Sequence, residues 1–248
     1  MGVIYILWLR QVKRYYRSKS RVAGSLVQPL LFLVALSFGL GPIYNQATGE
    51  SYLQFLGPGI IAMSILFTSV FSGIDLIWDR RMGFLKEILV APVPRIVIMI
   101  GRTLGAATIG FMQGVIIFLI TILIGFDPVL SLSLPLALVF MAFIALFFTA
   151  LGTAIASVVE DMSAFPLVMN FLVMPIFFLS GALFPLENLP LSIRWFSYIN
   201  PLSFGVDGLR ITLADQSFFG LEVSTVVLST MIAGMLVIGA CLFRRIQI

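Results

Sequence analysis

The chain of 248 residues is 60% hydrophobic and only 10% charged, with a mean hydropathy of +1.11, whereas soluble domains carry about 25% charged residues. A core of that composition needs the bilayer as its solvent, which excludes an ordinary soluble enzyme. The net charge is +4, there is no histidine, and Cys241 is the one cysteine, which excludes an internal disulfide, Cys/His metal sites and the usual catalytic imidazole.

The first predicted element, residues 1–21, is an amphipathic interfacial helix. Arg10, Lys13, Arg14 and Arg17 share one face, while Trp8, Val12, Tyr15 and Tyr16 share another. Such a helix is expected to lie flat at the inner interface with its cations toward anionic headgroups. Its apolar piece, 3–9, precedes the charges, and no small-residue cleavage site follows, so it reads as part of the mature protein.

Six apolar stretches follow, at 23–44, 55–78, 102–126, 132–159, 164–184 and 221–243. Each is near the roughly 20 residues that a helix needs to cross hydrocarbon. A barrel would show alternation over about ten residues per strand, which is absent, and only helices satisfy their own backbone over continuous runs in lipid. The expected fold class is therefore an all-α integral membrane protein with six transmembrane helices. No polar linker divides residues 1–248, which read as a single domain.

Between the second and third spans lies "MGFLKEILVAPVPR", two cations, an anion and two prolines within a greasy chain. Phe84 with Ile88, and Leu85 with Leu89, make i,i+4 apolar pairs on a short helix that Pro92 and Pro94 end. A plain turn needs only a few polar residues, so this stub is expected to offer a surface. The hairpin after the fourth span, "VEDMSA", carries acids and no cation. Residues 185–216, between the fifth and sixth spans, mix apolar and polar residues and read as an outer re-entrant pair of short helices, about 191–198 and 201–213. Asn200 is the expected N-cap of the second, with Pro201 at its first position.

Every one of the 15 Lys and Arg except Arg194 and Arg210 falls on one side of a six-span bundle, which predicts cytoplasmic termini. Within the spans the main ionisable residues are Asp75 and Arg102, both near the basic end. Asp75 is expected to be solvated at the interface or paired with Arg80 or Arg81. A secondary transporter needs carboxylates near mid-membrane, so that alternative is disfavoured. A non-transporting scaffold or enzyme has no catalytic motif behind it. The phosphate loop G-x-x-x-x-G-K-[ST] is missing, as are H-E-x-x-H and G-x-S-x-G. Gly101/Gly105, Gly110/Gly114 and Gly152/Ala156 are small-residue pairs suited to close helix packing, within the chain or between two copies. Pro29, Pro166 and Pro175 are expected to kink their spans. Ser64, Thr68, Gln113, Asn170 and Ser180 are polar groups within spans.

Three stretches, "DRRMGFLKEILVAPVPR" (79–95), "FLSGALFPLENLP" (178–190) and "INPLSFGVDGLR" (199–210), together with the six spans and the basic N-terminal helix, resemble the permease subunits of type-2 ATP-binding-cassette exporters, which include drug and polysaccharide exporters. The resemblance implies that 79–95 is a coupling helix, with Gly83, Phe84, Leu85, Lys86, Glu87 and Ile88 contacting a separate ATPase. It makes the N-terminal segment, with Arg10, Lys13, Arg14 and Arg17, a connecting helix. Trp195, Phe196, Asn200, Pro201 and Arg210 would serve an outer gate. It further implies two permease copies, as a homodimer, and two ABC ATPase subunits that bind the ATP and Mg, leaving no cofactor in this chain and no nucleic-acid partner. The chain would sit in the cell membrane among lipids. Arg81 and Met82 stand where many relatives carry an acid, which bears on which ATPase recognises the surface. With 23 Phe and 11 Met, an amphiphilic drug or lipid-like cargo is expected, with polysaccharide or glycolipid as the alternative.

Overall fold

The computed structural model describes residues 2–49, 51–90, 93–128, 133–159 and 161–244, with Lys86, Leu89 and Val90 described as backbone only. Pro92, Leu132 and Arg245, used in the sequence reading, lie outside the described residues. Among the described residues the structure is helical throughout, without strands. In chain order the helices are α1 (Gly2–Arg17), α2 (Lys19–Thr48), α3 (Tyr52–Phe71), α4 (Ile74–Arg81), α5 (Phe84–Val90), α6 (Arg95–Ile124), α7 (Leu134–Val158) and α8 (Ala164–Phe178). A single 3-10 turn (Leu186–Asn188) then leads to α9 (Leu191–Ile199), α10 (Pro201–Ala214) and α11 (Leu221–Arg244).

Among the described residues five segments are long and apolar enough to cross a membrane: α2, α3 with α4, α6, α7 and α11. The stretch expected as a fifth span at 164–184 is different: its helix, α8, has 15 residues, a length of about 22 Å against hydrocarbon about 30 Å thick. The chain itself explains the early stop. Pro175 supplies no N–H near the helix end, the Ser180 hydroxyl bonds back to the Phe177 carbonyl at 2.7 Å, and Gly181 takes a left-handed φ of +77°. A Cβ at Gly181 would sit 2.7 Å from Leu186 Cγ, so glycine is required there for space as well as for conformation. Pro29 lies inside α2 as expected, but Pro166 occupies the first turn of α8, where a missing N–H breaks no helical bond.

At the centre is α3, which packs against α2, α6, α7 and α10, while α11 covers α7 and α10. Its side chains from Phe55 to Leu66 are almost all buried. Small residues set these approaches, all within one chain. Gly114 lies against Ile65 of α3, and Gly101 and Gly105 of α6 receive Leu7 and Gln11 of α1. Gly73 and Gly152 bring the α3–α4 break against α7 backbone to backbone.

The N-terminal helix departs from expectation. Rather than presenting all its cations outward, α1 runs along α6. Trp8 Nε1 donates to Thr108 Oγ1 at 2.9 Å, and the Tyr15 hydroxyl donates to Gln113 Oε1 at 3.1 Å. Gln113 is fully buried and also bonds Ser25 in both directions, at 3.2 and 3.1 Å, so one side chain ties α1, α2 and α6 together. The other polar span residues are less consequential: Ser64 bonds back to the Ile61 carbonyl, and Asn170 is exposed.

Candidate functional site

α3 ends at Phe71, and the chain turns through Ser72 and Gly73 before α4 begins. On α4, Asp75 and Asp79 stand four residues apart and therefore on one face. On α1, Arg10 and Arg14 have the same spacing. The two pairs meet. Arg10 Nη2 lies 3.0 Å from Asp79 Oδ1, and Arg14 reaches Asp79 at 3.2 Å and Asp75 at 3.3 Å. Arg21, in the first turn of α2, reaches Asp75 at 3.1 Å, and Arg102 of α6 reaches Asp79 Oδ2 at 2.5 Å. Asp75 and Asp79 are each 5% exposed and Arg102 is 4% exposed, so the cluster is sunk between the helices. Four guanidinium groups share two carboxylates, which leaves a local excess of positive charge. Such buried pairs add little net stability over an apolar core, but losing one partner strands a charge.

This arrangement corrects two expectations. Asp75 pairs with Arg14 and Arg21, not with Arg80 or Arg81: Arg80 donates to the Ala156 and Ser157 carbonyls at the end of α7, and Arg81 is exposed. Of the four cations assigned to the connecting helix, Arg10 and Arg14 turn inward to carboxylates, while Lys13 and Arg17 remain exposed. Asp79 was the missed residue, although its i,i+4 spacing with Asp75 mirrors that of Arg10 and Arg14.

Beside the cluster sits α5, which starts after Gly83 turns the chain with a φ of +76°. The Arg10 guanidinium lies 3.7 Å above the Phe84 ring centroid, a cation–π contact that joins α5 to the ion-pair cluster. Leu85 is buried and faces the bundle; Met82 and Glu87 are exposed, and Gly83, Phe84 and Ile88 are half-buried. Of the six residues named from sequence, Leu85 therefore faces inward and Glu87 outward. In the α7–α8 turn, the Ser163 backbone N–H and then its hydroxyl bond Asp161 and hold its carboxyl below the usual carboxylate range.

At the opposite end of the bundle, the Asn200 side chain caps α10 by accepting from Leu202 N at 3.0 Å, with Pro201 in the first turn. Its amide also donates to the Ile176 carbonyl of α8 at 2.6 Å. Arg210, buried on α10, donates to the Gly181 carbonyl at 2.9 Å and lies 4.0 Å over the Phe55 ring. Asn200 and Arg210 thus hold the short α8 and its following turn against α3. Trp195 and Phe196 are exposed on α9. Of the five residues predicted for an outer gate, two are exposed on α9, while Asn200 and Arg210 are buried at α10 with Pro201 beside Asn200. Asp207, also missed, accepts from Phe218 N, Phe219 N and Ser224 Oγ, fixing the connection into α11. Asn200→Ala is expected to cost about 1–2 kcal/mol through loss of the cap, read as a lower midpoint in denaturant titration.

No group of three or more His, Cys, Asp or Glu among the described residues could hold a metal ion. The fold is that of a multi-pass membrane protein in which ion pairs tie α4 to α1, α2 and α6 and the stub α5 meets that cluster through the Phe84 ring. Residues 2–214 match the family described as ABC-2 type transporter, and the chain belongs to that family. It is 27% identical over 245 residues to Nodulation protein J of Rhizobium leguminosarum bv. viciae, covering 96% of this chain and 94% of that protein. It is 26% identical over 257 residues to ycf38, named as a transport permease, of Cyanophora paradoxa, covering 98% and 88%. With ycf38 of Pyropia yezoensis the identity is 30% over 213 residues, covering 84% and 72%. Members of the family are transport permeases that work with an ABC ATPase subunit.

Proposed function

We propose that this chain is the membrane-spanning permease subunit of an ATP-driven exporter, and that α5 is the coupling helix on which a separate ABC ATPase acts. The observation that carries this reading is the stacking of Phe84, the first residue of α5, under Arg10, which is itself bonded to Asp79. A push on α5 reaches α1 through that ring, α4 through Asp79 and α6 through Arg102. Displacement of a short exposed stub thereby becomes displacement of long helices, which is what a chain without its own nucleotide site requires.

The basic end then faces the cytoplasm, both termini with it, in the cell membrane. α8 with residues 179–183 makes the sixth crossing. Two copies, paired as a homodimer, work with two ATPases, which hold ATP and Mg. α2 and α8 expose apolar side chains, Phe38 and Phe171 among them, for a second copy and for lipid. α9 and α10 close the outer side. The cargo is amphiphilic, drug-like or lipid-like.

The test is co-purification of the ATPase with Phe84→Ala and Glu87→Lys variants, alongside export from reconstituted vesicles. Loss of an interface anchor typically costs 2 kcal/mol or more, roughly 30-fold in affinity. Association and export are expected to fall together while the purified permease keeps its elution profile. If both activities survive the paired substitution, α5 does not couple.

A further inference from the structure

A cavity of about 510 Å³ opens between the first turns of α2 and the α3–α4 break. That is within the range of small-molecule sites, which are mostly apolar with a few placed polar groups. Its wall is formed by Pro29, Phe67, Phe71 and Trp78, and its rim by Arg21 and Asp75. We infer that this cavity binds an anionic amphiphile, with the charged head at Arg21 and the apolar tail against Phe67 and Phe71.

The sign of the head follows from the rim. Arg21 meets Asp75 through Nη1 alone, and its side chain is 42% exposed, so Nε and Nη2 remain for an incoming group. A guanidinium presents those donors in the fixed geometry that phosphate and carboxylate accept. Asp75 is already shared with Arg14, and the cluster behind it holds more guanidinium than carboxylate, so a cationic head would be repelled and an anionic one completes the charge. The neighbouring Arg17 and Lys19 are exposed at the α1–α2 junction and add to the same field. The tail follows from the wall, since a free inorganic anion would gain nothing from two phenylalanines and an indole.

Two sources supply such a molecule, a resident anionic lipid or the cargo itself. The inference rests on the exporter reading for release by ATP, not for binding. The experiment uses the full chain in phosphatidylcholine nanodiscs, in a Trp8→Phe, Trp195→Phe background that leaves Trp78 as reporter. Phosphatidic acid and phosphatidylcholine carrying the same brominated tail are titrated as quenchers of Trp78. Phosphatidic acid is expected to quench at roughly tenfold lower concentration, the size of one charge-assisted contact. Arg21→Gln should abolish that preference and Arg21→Lys should retain most of it; Asp75 keeps Arg14 in both. Gly24 lines the cavity and a Cβ there meets nothing within 4 Å, so a side chain can start from this position, and Gly24→Phe should narrow the cavity and reduce quenching by both lipids. Equal quenching by the two lipids in the parent, or a preference unchanged in Arg21→Gln, overturns the inference. With the ATPase partner and ATP added, loss of the bound probe marks it as cargo and persistence marks it as resident lipid, either outcome supporting the site. Failure of ATP-driven export with the phosphatidic acid preference intact would instead count against the exporter reading alone.

Discussion

Asp79→Ala is expected to destabilise the protein by about 3–5 kcal/mol, the cost of breaking a buried ion pair by removing one partner. Arg102 is 4% exposed and forms an ion pair with Asp79, so the substitution leaves a guanidinium in the bundle with its carboxylate gone. Arg10 loses its partner at the same time, and with it the orientation that places it over Phe84. Asp79→Asn should be intermediate, because an acceptor oxygen remains while the charge does not. Asp75→Ala should cost less, about 1 kcal/mol, because its partners Arg14 and Arg21 are 33% and 42% exposed in their side chains and can turn to water. The decisive comparison is the double variant Asp79→Leu with Arg102→Met. Replacing both charges by apolar groups should recover most of the stability that Asp79→Ala loses, while ATPase association, which under the proposed role of α5 depends on Arg10 being held in place, should stay impaired. Denaturant titration in detergent and ATPase co-purification read the two effects separately. An Asp79→Ala protein within 1 kcal/mol of the parent would show that the cluster is solvated, contrary to its burial.

Those contrasts mark what the sequence could and could not carry. Long apolar runs are local signals, and α2, α6, α7 and α11 lie where periodicity and length place them. Asn200 before Pro201 likewise separates α9 from α10. Hydropathy counts Leu179, Ala182 and Leu183 as membrane-like and so carries the expected fifth helix to 184, whereas the Ser180 hydroxyl and the positive φ of Gly181 follow a helix that ends at Phe178. The direction of Arg10 and Arg14 depended on carboxylates 61 to 69 residues away, since a basic helix beside a membrane anchors to headgroups whenever no carboxylate is in reach. The matching spacing of Arg10/Arg14 and Asp75/Asp79 was visible, but only the packing of α1 along α6 makes it a contact. Leu85 shows the same limit: an i,i+4 pattern identifies the short helix but not which of its faces the bundle covers.

The second large effect is expected where α3 and α4 cross α7. A Cβ at Gly73 would run into the Gly152 carbonyl, and a Cβ at Gly152 into the Val70 carbonyl. In both cases the obstacle is backbone, which cannot yield by changing rotamer. Gly73→Ala and Gly152→Ala should therefore each destabilise, by about 1–3 kcal/mol as for an overpacked core, at Gly152 despite the roughly 1 kcal/mol that alanine gains over glycine inside a helix. Because either methyl forces the same separation of the same two backbones, the double variant should cost little more than the worse single one, instead of the sum expected of independent sites. Gly39→Ala in α2 and Gly234→Ala in α11 are the controls, since a Cβ at either meets nothing within 4 Å; both should be neutral or stabilising by up to about 1 kcal/mol. Thermal unfolding of the four single variants and the double tests this directly, and additivity at Gly73 and Gly152 would mean that the two methyls are accommodated separately and that the crossing is looser than the structure has it. Because Asp75 and Asp79 ride on the helix that begins at this crossing, a looser α3–α4 break would also free the ion-pair cluster from α7. Gly152→Ala should then weaken ATPase association although it lies on neither α1 nor α5.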